Sequence, residues 1–196
     1  KDWCNDASVS SNPYGFAKAE AEKRIRSWAK NRDVRLVTIH PSIVFGPILH
    51  PRHCEGSMAF LKHFVKGPPF VLDIHVNFVD VRDVADMNLL AMTRPEAAGE
   101  RFICSESSLR MIEIAHILKK HLPKFSSRLP SRVAPNVLAK FAALFNSRLK
   151  SIAPDLGRRR MIKNTKAKEL LGWSARPAKE AIESAADSLL WYNIVG

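Results

Sequence analysis

The sequence VNFVDVRDVADMNLLA at residues 76–91 decides the fold class. Its first six residues form a short, mostly apolar run of the kind that a buried parallel strand uses. The chain then passes directly into a helical pattern, in which Val84, Met87 and Leu90 recur on one side. A strand that leads directly into a helix is the repeating unit of α/β proteins.

The same alternation extends to both sides of this stretch. A helix is predicted at residues 14–30, because Asn12-Pro13 supplies an N-cap and a first-turn proline. Short strands are predicted at residues 34–39 and 101–104, and a further helix at residues 111–122. Strands and helices in alternation predict a parallel sheet with right-handed crossovers, and hence the α/β class.

Beyond residue 122 the pattern becomes mainly helical. Helices are predicted from residue 165 to a stop at Gly172 and over residues 178–191. The sequence thus divides into an α/β part, residues 1–122 with a loop insertion around 48–75, and a mainly helical part, residues 123–196. Three apolar side chains at helical spacing are expected in the core or in the wall of an apolar substrate pocket: Phe141, Leu144 and Phe145.

The composition is that of a globular chain with a sizeable core. Of its 196 residues 46% are apolar, which excludes a disordered class. Cys4, Cys54 and Cys104 are odd in number and far apart, so we expect free thiols in a reducing compartment. Apolar runs are too short for a membrane span, and the first residues do not resemble a signal peptide. We therefore expect a cytoplasmic protein without a membrane partner.

The charge of the chain is strongly positive. It carries 31 Lys and Arg against 19 Asp and Glu, a formal net charge of +12. Such an excess suits nucleic acid, an acidic lipid or an anionic small molecule such as a phosphorylated cofactor. Most of the cations are scattered, except for a run at residues 158–160 that Lys163, Lys166 and Lys168 follow. We interpret this run as a solvated face, with a polyanion site as the alternative.

Tyr14 and Lys18 suggest chemistry most directly. Four residues make just over one helical turn, so the phenol and the ammonium lie side by side. Both fall on the stripe that Ala21, Ile25 and Trp28 mark, which we expect to be buried. A lysine ammonium on a buried stripe is costly to desolvate, so we expect it to have a role. General acid catalysis is one such role, because the positive charge of Lys18 lowers the pKa of the Tyr14 phenol from ~10 by up to about three units. The same spacing also occurs at ordinary helix starts, so the choice between a catalytic pair and an ordinary helix start depends on the neighbouring motifs.

Those motifs follow one another in the order found in extended short-chain dehydrogenases/reductases, the NAD-dependent epimerase/dehydratase superfamily. The chain resembles the dihydroflavonol-reductase-like and aldehyde-reductase-like branch over nearly its whole length. The motifs that carry the resemblance are Asp2-Trp3, Tyr14-x-x-x-Lys18, HPSIVFGP at residues 40–47, FVDVRDVA at 78–85, RFICS at 101–105 and KELLGW at 168–173.

The resemblance implies the C-terminal part of a Rossmann-type NAD(P)-binding domain, followed by a mainly helical substrate-side region. It also implies an NAD(P)H-dependent oxidoreductase that reduces a ketone or aldehyde, or oxidises the alcohol. The cofactor is NADP or NAD, with a slight preference for NADP. A small-molecule carbonyl or alcohol is the implied substrate, a homodimer is possible, and no metal is required.

The resemblance assigns roles to particular residues. Tyr14 corresponds to the proton donor to the substrate carbonyl. Lys18 corresponds to the residue that binds the nicotinamide ribose and lowers the pKa of the tyrosine. The further cofactor-binding positions are Pro41, Ile43 and Val44, which correspond to the segment against the nicotinamide, and Ser57, which corresponds loosely to a residue near the cofactor phosphates.

A glycine-rich phosphate-binding turn is missing from the sequence. Such a turn needs closely spaced glycines, because only glycine lets backbone N–H groups approach the pyrophosphate. No two of the 8 glycines lie within nine positions of each other. In the family this turn and the catalytic serine precede the tyrosine, and Ser8, Ser10 and Ser11 lie too close to Tyr14 for that role. We therefore expect a separate N-terminal Rossmann portion, without which the chain is inactive.

Other interpretations of function stay open. A sugar-nucleotide epimerase or dehydratase of the same fold uses the same Tyr and Lys, and Arg82 would then lie near a diphosphate. The chain could instead be a non-catalytic regulatory module, or a basic nucleic-acid-binding module that uses residues 158–168. The intact Tyr14–Lys18 pair argues against the regulatory module. Nucleic acid is the less favoured partner, because we interpret the basic run as a solvated face.

Two clusters of potential ligands have simpler interpretations. His50, His53 and Cys54 could bind zinc, but no partner pair lies nearby in the sequence, and a substrate-side loop is the favoured interpretation. Helix capping and a solvated helix face account for the three-residue spacing of Asp80, Asp83 and Asp86.

Overall fold

The computed structural model describes residues 7–159 and 161–195, so the predictions for Asp2-Trp3, Cys4 and Arg160 lie outside the described residues. In these ranges the chain forms eight α-helices and five β-strands. They are α1 (Pro13–Ala29), β1 (Thr38–Pro41), β2 (Ile43–Phe45), α2 (Ser57–Val65), β3 (His75–Asp80), α3 (Val81–Thr93), β4 (Arg101–Cys104), β5 (Ser107–Arg110), α4 (Met111–His121), α5 (Asn136–Ala142), α6 (Ser147–Ile152), α7 (Thr165–Leu171) and α8 (Ala178–Trp191).

The strands form two small sheets. β1 pairs with β4 in parallel, with Thr38 opposite Arg101. In the second sheet β3 is central, parallel to β2 and antiparallel to β5. The α/β class and the parallel pairing are confirmed, whereas β2, the antiparallel β5 and the division into two sheets were not anticipated. The strand predicted at residues 34–39 begins later, because its partner β4 begins only at Arg101.

The helices agree well with the sequence pattern. α7 ends as predicted at Gly172, which adopts the left-handed conformation with φ of 66°. α3 follows β3 without a loop, and the Asp80 side chain accepts a hydrogen bond from the Arg82 backbone N–H at 2.8 Å. α2 lies inside the stretch that we predicted as a loop insertion.

Two hydrophobic cores hold the elements together. The larger lies between the second sheet and α2, α4 and α8. The smaller joins β4 and α3 to α7 around Phe102, Met87 and Trp173. Each core contains side chains from both sides of residue 122, so the helical C-terminal part packs directly on the α/β part. The division into an α/β part and a helical part at residue 122 stays a prediction from the sequence pattern.

The buried face that we predicted for α1 is wrong. Ala19 and Glu22 are the buried residues of this helix, whereas Tyr14 is 73% exposed and Trp28 is also exposed. The reason is that α1 contacts the β1–β4 sheet region through the charged residues Glu22 and Arg26 rather than through the apolar stripe. The described residues leave the other face of the helix uncovered.

The core position predicted for Phe141, Leu144 and Phe145 is also wrong. All three side chains are exposed, while Ala139 and Ala143 are the residues that pack inward.

No helix in the described ranges is long and apolar enough to cross a membrane.

Candidate active site

Tyr14 and Lys18 lie next to each other in the first two turns of α1. The helix begins at Pro13, and the Asn12 side chain caps it by accepting a hydrogen bond from the Gly15 backbone N–H at 3.0 Å. The Lys18 ammonium lies 5.7 Å from the centroid of the Tyr14 ring. Both side chains are exposed, so the pair faces open space rather than the core.

A cavity of about 740 Å³ lies between α1 and the first sheet. Lys18 and Ile25 line it from the helix, and Thr38, His40 and Arg101 line it from β1 and β4. Lys18 is therefore both beside the phenol and at the wall of a cavity large enough for part of a nucleotide.

Glu22 fixes α1 above this cavity. Its carboxylate accepts hydrogen bonds from Arg101 Nε at 2.8 Å, from Arg26 Nε at 2.9 Å and from the Thr38 hydroxyl at 2.9 Å. Burial alone would raise the pKa of Glu22, but these donors outweigh burial and lower the pKa to about 2. The sequence pattern does not reveal this role of Glu22, because its partner Arg101 lies 79 positions away.

The predicted segment Pro41–Val44 connects the two sheets. Pro41 ends β1, Ile43 begins β2, and the Ser42 backbone N–H between them donates to the Cys104 carbonyl at 3.0 Å. Pro41 and Ile43 are exposed, whereas Val44 is half-buried. This crossing places the segment at the carboxyl end of β1, where ligands of open α/β sheets bind.

A second cavity, of about 560 Å³, lies beyond β2. Val44, Ile48 and Met58 give it an apolar wall, and Ser57 and Arg82 contribute polar groups. Ser57 begins α2 and is half-buried. The structure thus brings Val44 and Ser57 to one cavity and Lys18 to the other.

The charge of Arg82 is already paired. Its guanidinium donates to Asp80 through Nε at 2.9 Å and Nη2 at 2.7 Å, and it also approaches Glu180 at 3.3 Å. The hydrogen bonds to Asp80 raise the pKa of Arg82. The second cavity is therefore mainly apolar and offers little free positive charge to an anionic ligand.

Asp80, Asp83 and Asp86, at the start of α3 and within it, have different environments. Asp80 caps the helix, as predicted, and Asp86 is exposed. Asp83 is buried, so the solvated-face prediction is wrong for this residue. It is paired with Arg176, and its carbonyl accepts a hydrogen bond from the Trp173 indole at 2.9 Å. Burial raises the pKa of Asp83.

The cysteines and histidines do not form a metal site in the part of the chain that the structure describes. Cys54 and Cys104 are free thiols, as predicted. Burial, together with the nearby Asp83 charge, raises the pKa of Cys104 to about 12. The rings of His50 and His53 lie 5.8 Å apart at the start of the loop that leads to α2.

Parallel strands joined by helices, with one cavity against β1 and a second at the carboxyl end of β2, define an α/β protein of the Rossmann type. The chain belongs to the NAD dependent epimerase/dehydratase family, whose profile matches residues 3–104. This result confirms the resemblance that the ordered motifs indicate.

Individual relatives agree with this assignment. The chain is 31% identical to cinnamoyl-CoA reductase 2 of Medicago truncatula over 72% of its own length and 42% of the relative. It is 28% identical to the NADPH-dependent methylglyoxal reductase of Saccharomyces cerevisiae, over 97% of this chain and 54% of that one. The chain spans about half the length of the curated relatives that it matches.

Solved structures show the same fold. Gre2 of Candida albicans in complex with NADPH superposes with a TM-score of 0.74 at 25% identity, over 97% of this chain and 56% of that one. Vestitone reductase of alfalfa superposes with a TM-score of 0.70 at 16% identity, over 92% of this chain and 52% of that one.

Proposed function

We propose that this chain supplies the tyrosine, the lysine and the substrate side of an NAD(P)H-dependent carbonyl reductase. The observation that carries the proposal is the position of the Lys18 ammonium, 5.7 Å from the Tyr14 ring centroid and at the wall of an open cavity. Family membership gives this pair its chemical context. The relatives named as reductases, one of them NADPH-dependent, favour reduction with NADPH.

The residues present fit the nicotinamide and ribose end of the cofactor. Lys18 offers an ammonium to ribose hydroxyls, and the chain from Pro41 to Val44 offers a backbone edge with an apolar side chain. When bound, the nicotinamide supplies the hydride. The wide spacing of the glycines leaves the pyrophosphate without a binding turn in this sequence, so we propose that a further Rossmann portion provides it.

Tyr14 and Lys18 would divide the proton chemistry between them. As a carbonyl carbon accepts a hydride, its oxygen gains negative charge, and the Tyr14 hydroxyl donates a proton to it. The phenolate that remains is stabilised by the adjacent Lys18 ammonium. The exposure of Tyr14 allows a proton from water to restore the hydroxyl.

An uncharged carbonyl compound is the substrate that we propose. The second cavity has an apolar wall, and its cation Arg82 is held by Asp80. A sugar nucleotide would bring a diphosphate, which needs unpaired cations. The paired state of Arg82 therefore favours a reductase of small, mainly apolar aldehydes or ketones over an epimerase.

Replacement of Lys18 tests the proposal in the protein that carries this chain together with its cofactor-binding turn. We expect Lys18→Ala to weaken NADPH binding at least ten-fold and to lower kcat for aldehyde reduction about 100-fold, because ribose contacts and phenolate stabilisation are both lost. The measurements are NADPH fluorescence titration and the absorbance of NADPH during turnover. Lys30→Ala, at the other end of α1, is the control and should retain both. A Lys18→Ala protein with parental binding and turnover would contradict the proposal.

A further inference from the structure

Residues 123–168, which we call the basic segment, hold almost all of the net positive charge of the chain. They contain 12 of its 31 Lys and Arg but one of its 19 Asp and Glu, Asp155. The segment has a net charge of +11, and the rest of the chain has +1. The proposed reductase chemistry uses none of these cations.

The same segment exposes a group of large apolar side chains. α5 packs inward through Ala139 and Ala143, which are small, and this orientation is the reverse of an ordinary amphipathic helix on a protein core. The outward residues, which we call the apolar face, are Val137 (78% exposed), Leu138 (63%), Phe141 (63%), Leu144 (74%) and Phe145 (80%). Contiguous apolar patches of this kind mark interaction surfaces.

We propose that the basic segment binds the surface of an anionic phospholipid bilayer, with the apolar face inserted at the level of the lipid headgroups. Helices that lie in a membrane interface combine exposed Phe and Leu with Lys and Arg. Each cation near an anionic leaflet adds to the attraction, and the apolar side chains anchor the contact. α5 has 7 residues, far fewer than a membrane span needs, so the contact is superficial.

The charge distribution selects a lipid surface over other occupants. A second copy of the chain would bring another segment of +11 against the first, and the two would repel. Nucleic acid would satisfy the cations but would give Val137, Leu138 and Leu144 nothing apolar to contact. An anionic bilayer meets both requirements at once. The proposal departs from our sequence-based expectation of no membrane partner.

Vesicle co-sedimentation tests the proposal directly. Phosphatidylcholine vesicles with about 30% phosphatidylserine should bind the protein that carries this chain and its cofactor-binding turn at least ten-fold more tightly than vesicles of phosphatidylcholine alone, and high salt should weaken the binding. Phe141→Ser with Phe145→Ser should reduce the affinity at least ten-fold. The matched control is Leu89→Ser with Met92→Ser, two exposed apolar residues of α3 outside the segment, and it should bind as the parent does.

A charge variant separates lipid binding from a folding defect. Lys140→Glu with Lys150→Glu leaves the apolar face intact but lowers the segment charge, so binding should fall at low salt while the melting temperature stays unchanged. The proposal is overturned if neither vesicle binds, or if the Phe double variant binds as the parent does. Submicromolar binding of duplex DNA that the Phe variant retains would instead assign the segment to nucleic acid. A dimer that the Phe variant abolishes, without vesicle binding, would assign the face to a second copy.

Discussion

Glu22 shows how a charged residue can form the interior contact of a helix. The carboxylate is buried between α1 and the first sheet, and two guanidinium groups and a hydroxyl surround it. Such a cluster is stable because each partner donates a hydrogen bond to the ionised form. The contact holds the Tyr14–Lys18 helix where an apolar stripe would ordinarily do so.

The ionisation of Glu22 should make stability depend on pH. Its pKa falls from 4.5 to about 2 on folding, so the ionised form favours the folded state. This stabilisation, about 3 kcal/mol, is complete above pH 4.5 and is lost as the pH falls towards 2. We expect Glu22→Gln to lower the free energy of unfolding by about 2–3 kcal/mol at pH 7 and to remove this acid dependence. Urea unfolding at pH 7, 4 and 3 measures both effects.

Glu20→Gln is the control for this experiment, because Glu20 contacts Lys23 at the surface of the same helix. It should unfold at the parental urea concentration. Equal losses in the two variants, or a Glu22→Gln protein with parental acid dependence, would refute the role assigned to Glu22.

Gly46 controls how the segment after β2 meets the N-terminus of α3. It adopts φ of 120°, and a Cβ placed there would lie 2.9 Å from Val81 Cγ1 and 3.0 Å from Asp80 Oδ1. Backbone strain and steric overlap therefore both oppose any side chain at this position. The close approach places Val44 and Pro47 on the wall of the second cavity.

Gly46→Ala should consequently destabilise the chain more than a glycine change that costs only backbone strain. We expect a loss of about 2–4 kcal/mol in denaturant unfolding. Gly99→Ala is the matched case, because Gly99 also has a positive φ, 76°, but has open space around its Cβ position. It should lose about 1–2 kcal/mol. Similar losses in both variants would show that the contact with Val81 and Asp80 is unimportant.

The elements themselves were largely predictable from the sequence, since they depend on local patterns. The caps at Asn12 and Gly172 and the direct passage from β3 to α3 all occur as predicted. β2, β5 and α2 were missed. β2 has only 3 residues, and β5 pairs with a distant strand and has no apolar alternation. Which face of a helix becomes buried is a tertiary property, and for α1 and α5 the periodicity indicated the wrong face.

A buried polar contact connects the two parts of the sequence across residue 122, in addition to the two hydrophobic cores. Asp83 on α3 is buried and pairs with the guanidinium of Arg176, whose backbone N–H also donates to this carboxylate at 2.8 Å. The Trp173 indole binds the Asp83 carbonyl from the same C-terminal segment. The smaller core, which includes Trp173, thus depends on residues from both parts of the sequence.

Arg176→Ala should weaken this connection without removing any apolar contact of the core. The substitution leaves the Asp83 carboxylate with only the backbone N–H of residue 176 as a donor. We therefore expect the free energy of unfolding to fall by roughly 2–3 kcal/mol. One cooperative transition should persist in tryptophan fluorescence and far-ultraviolet circular dichroism, because both cores span the two parts. Arg35→Ala, at the surface beside α3, is a suitable control. Two separate transitions in the parent chain would contradict a single cooperative unit.

The site as a whole was predictable only in part. The Tyr14–Lys18 spacing and the ordered motifs indicated the family, which the comparisons confirm. The sequence could not show that Val44 and Ser57 share one cavity while Lys18 lines another, since that separation arises from the crossing between sheets at Pro41–Ile43. Nor could the sequence show that the Asp80 carboxylate pairs with the Arg82 guanidinium.

The most direct test of the central claim compares the two tyrosines of the sequence in the cofactor-competent protein. Single-turnover oxidation of bound NADPH by an aldehyde should slow at least 100-fold in Tyr14→Phe, with NADPH affinity changed less than about three-fold, because only the proton donor is lost. Tyr192→Phe should react at the parental rate. Parental single-turnover kinetics in Tyr14→Phe would show that the phenol is not the proton donor and would contradict the account.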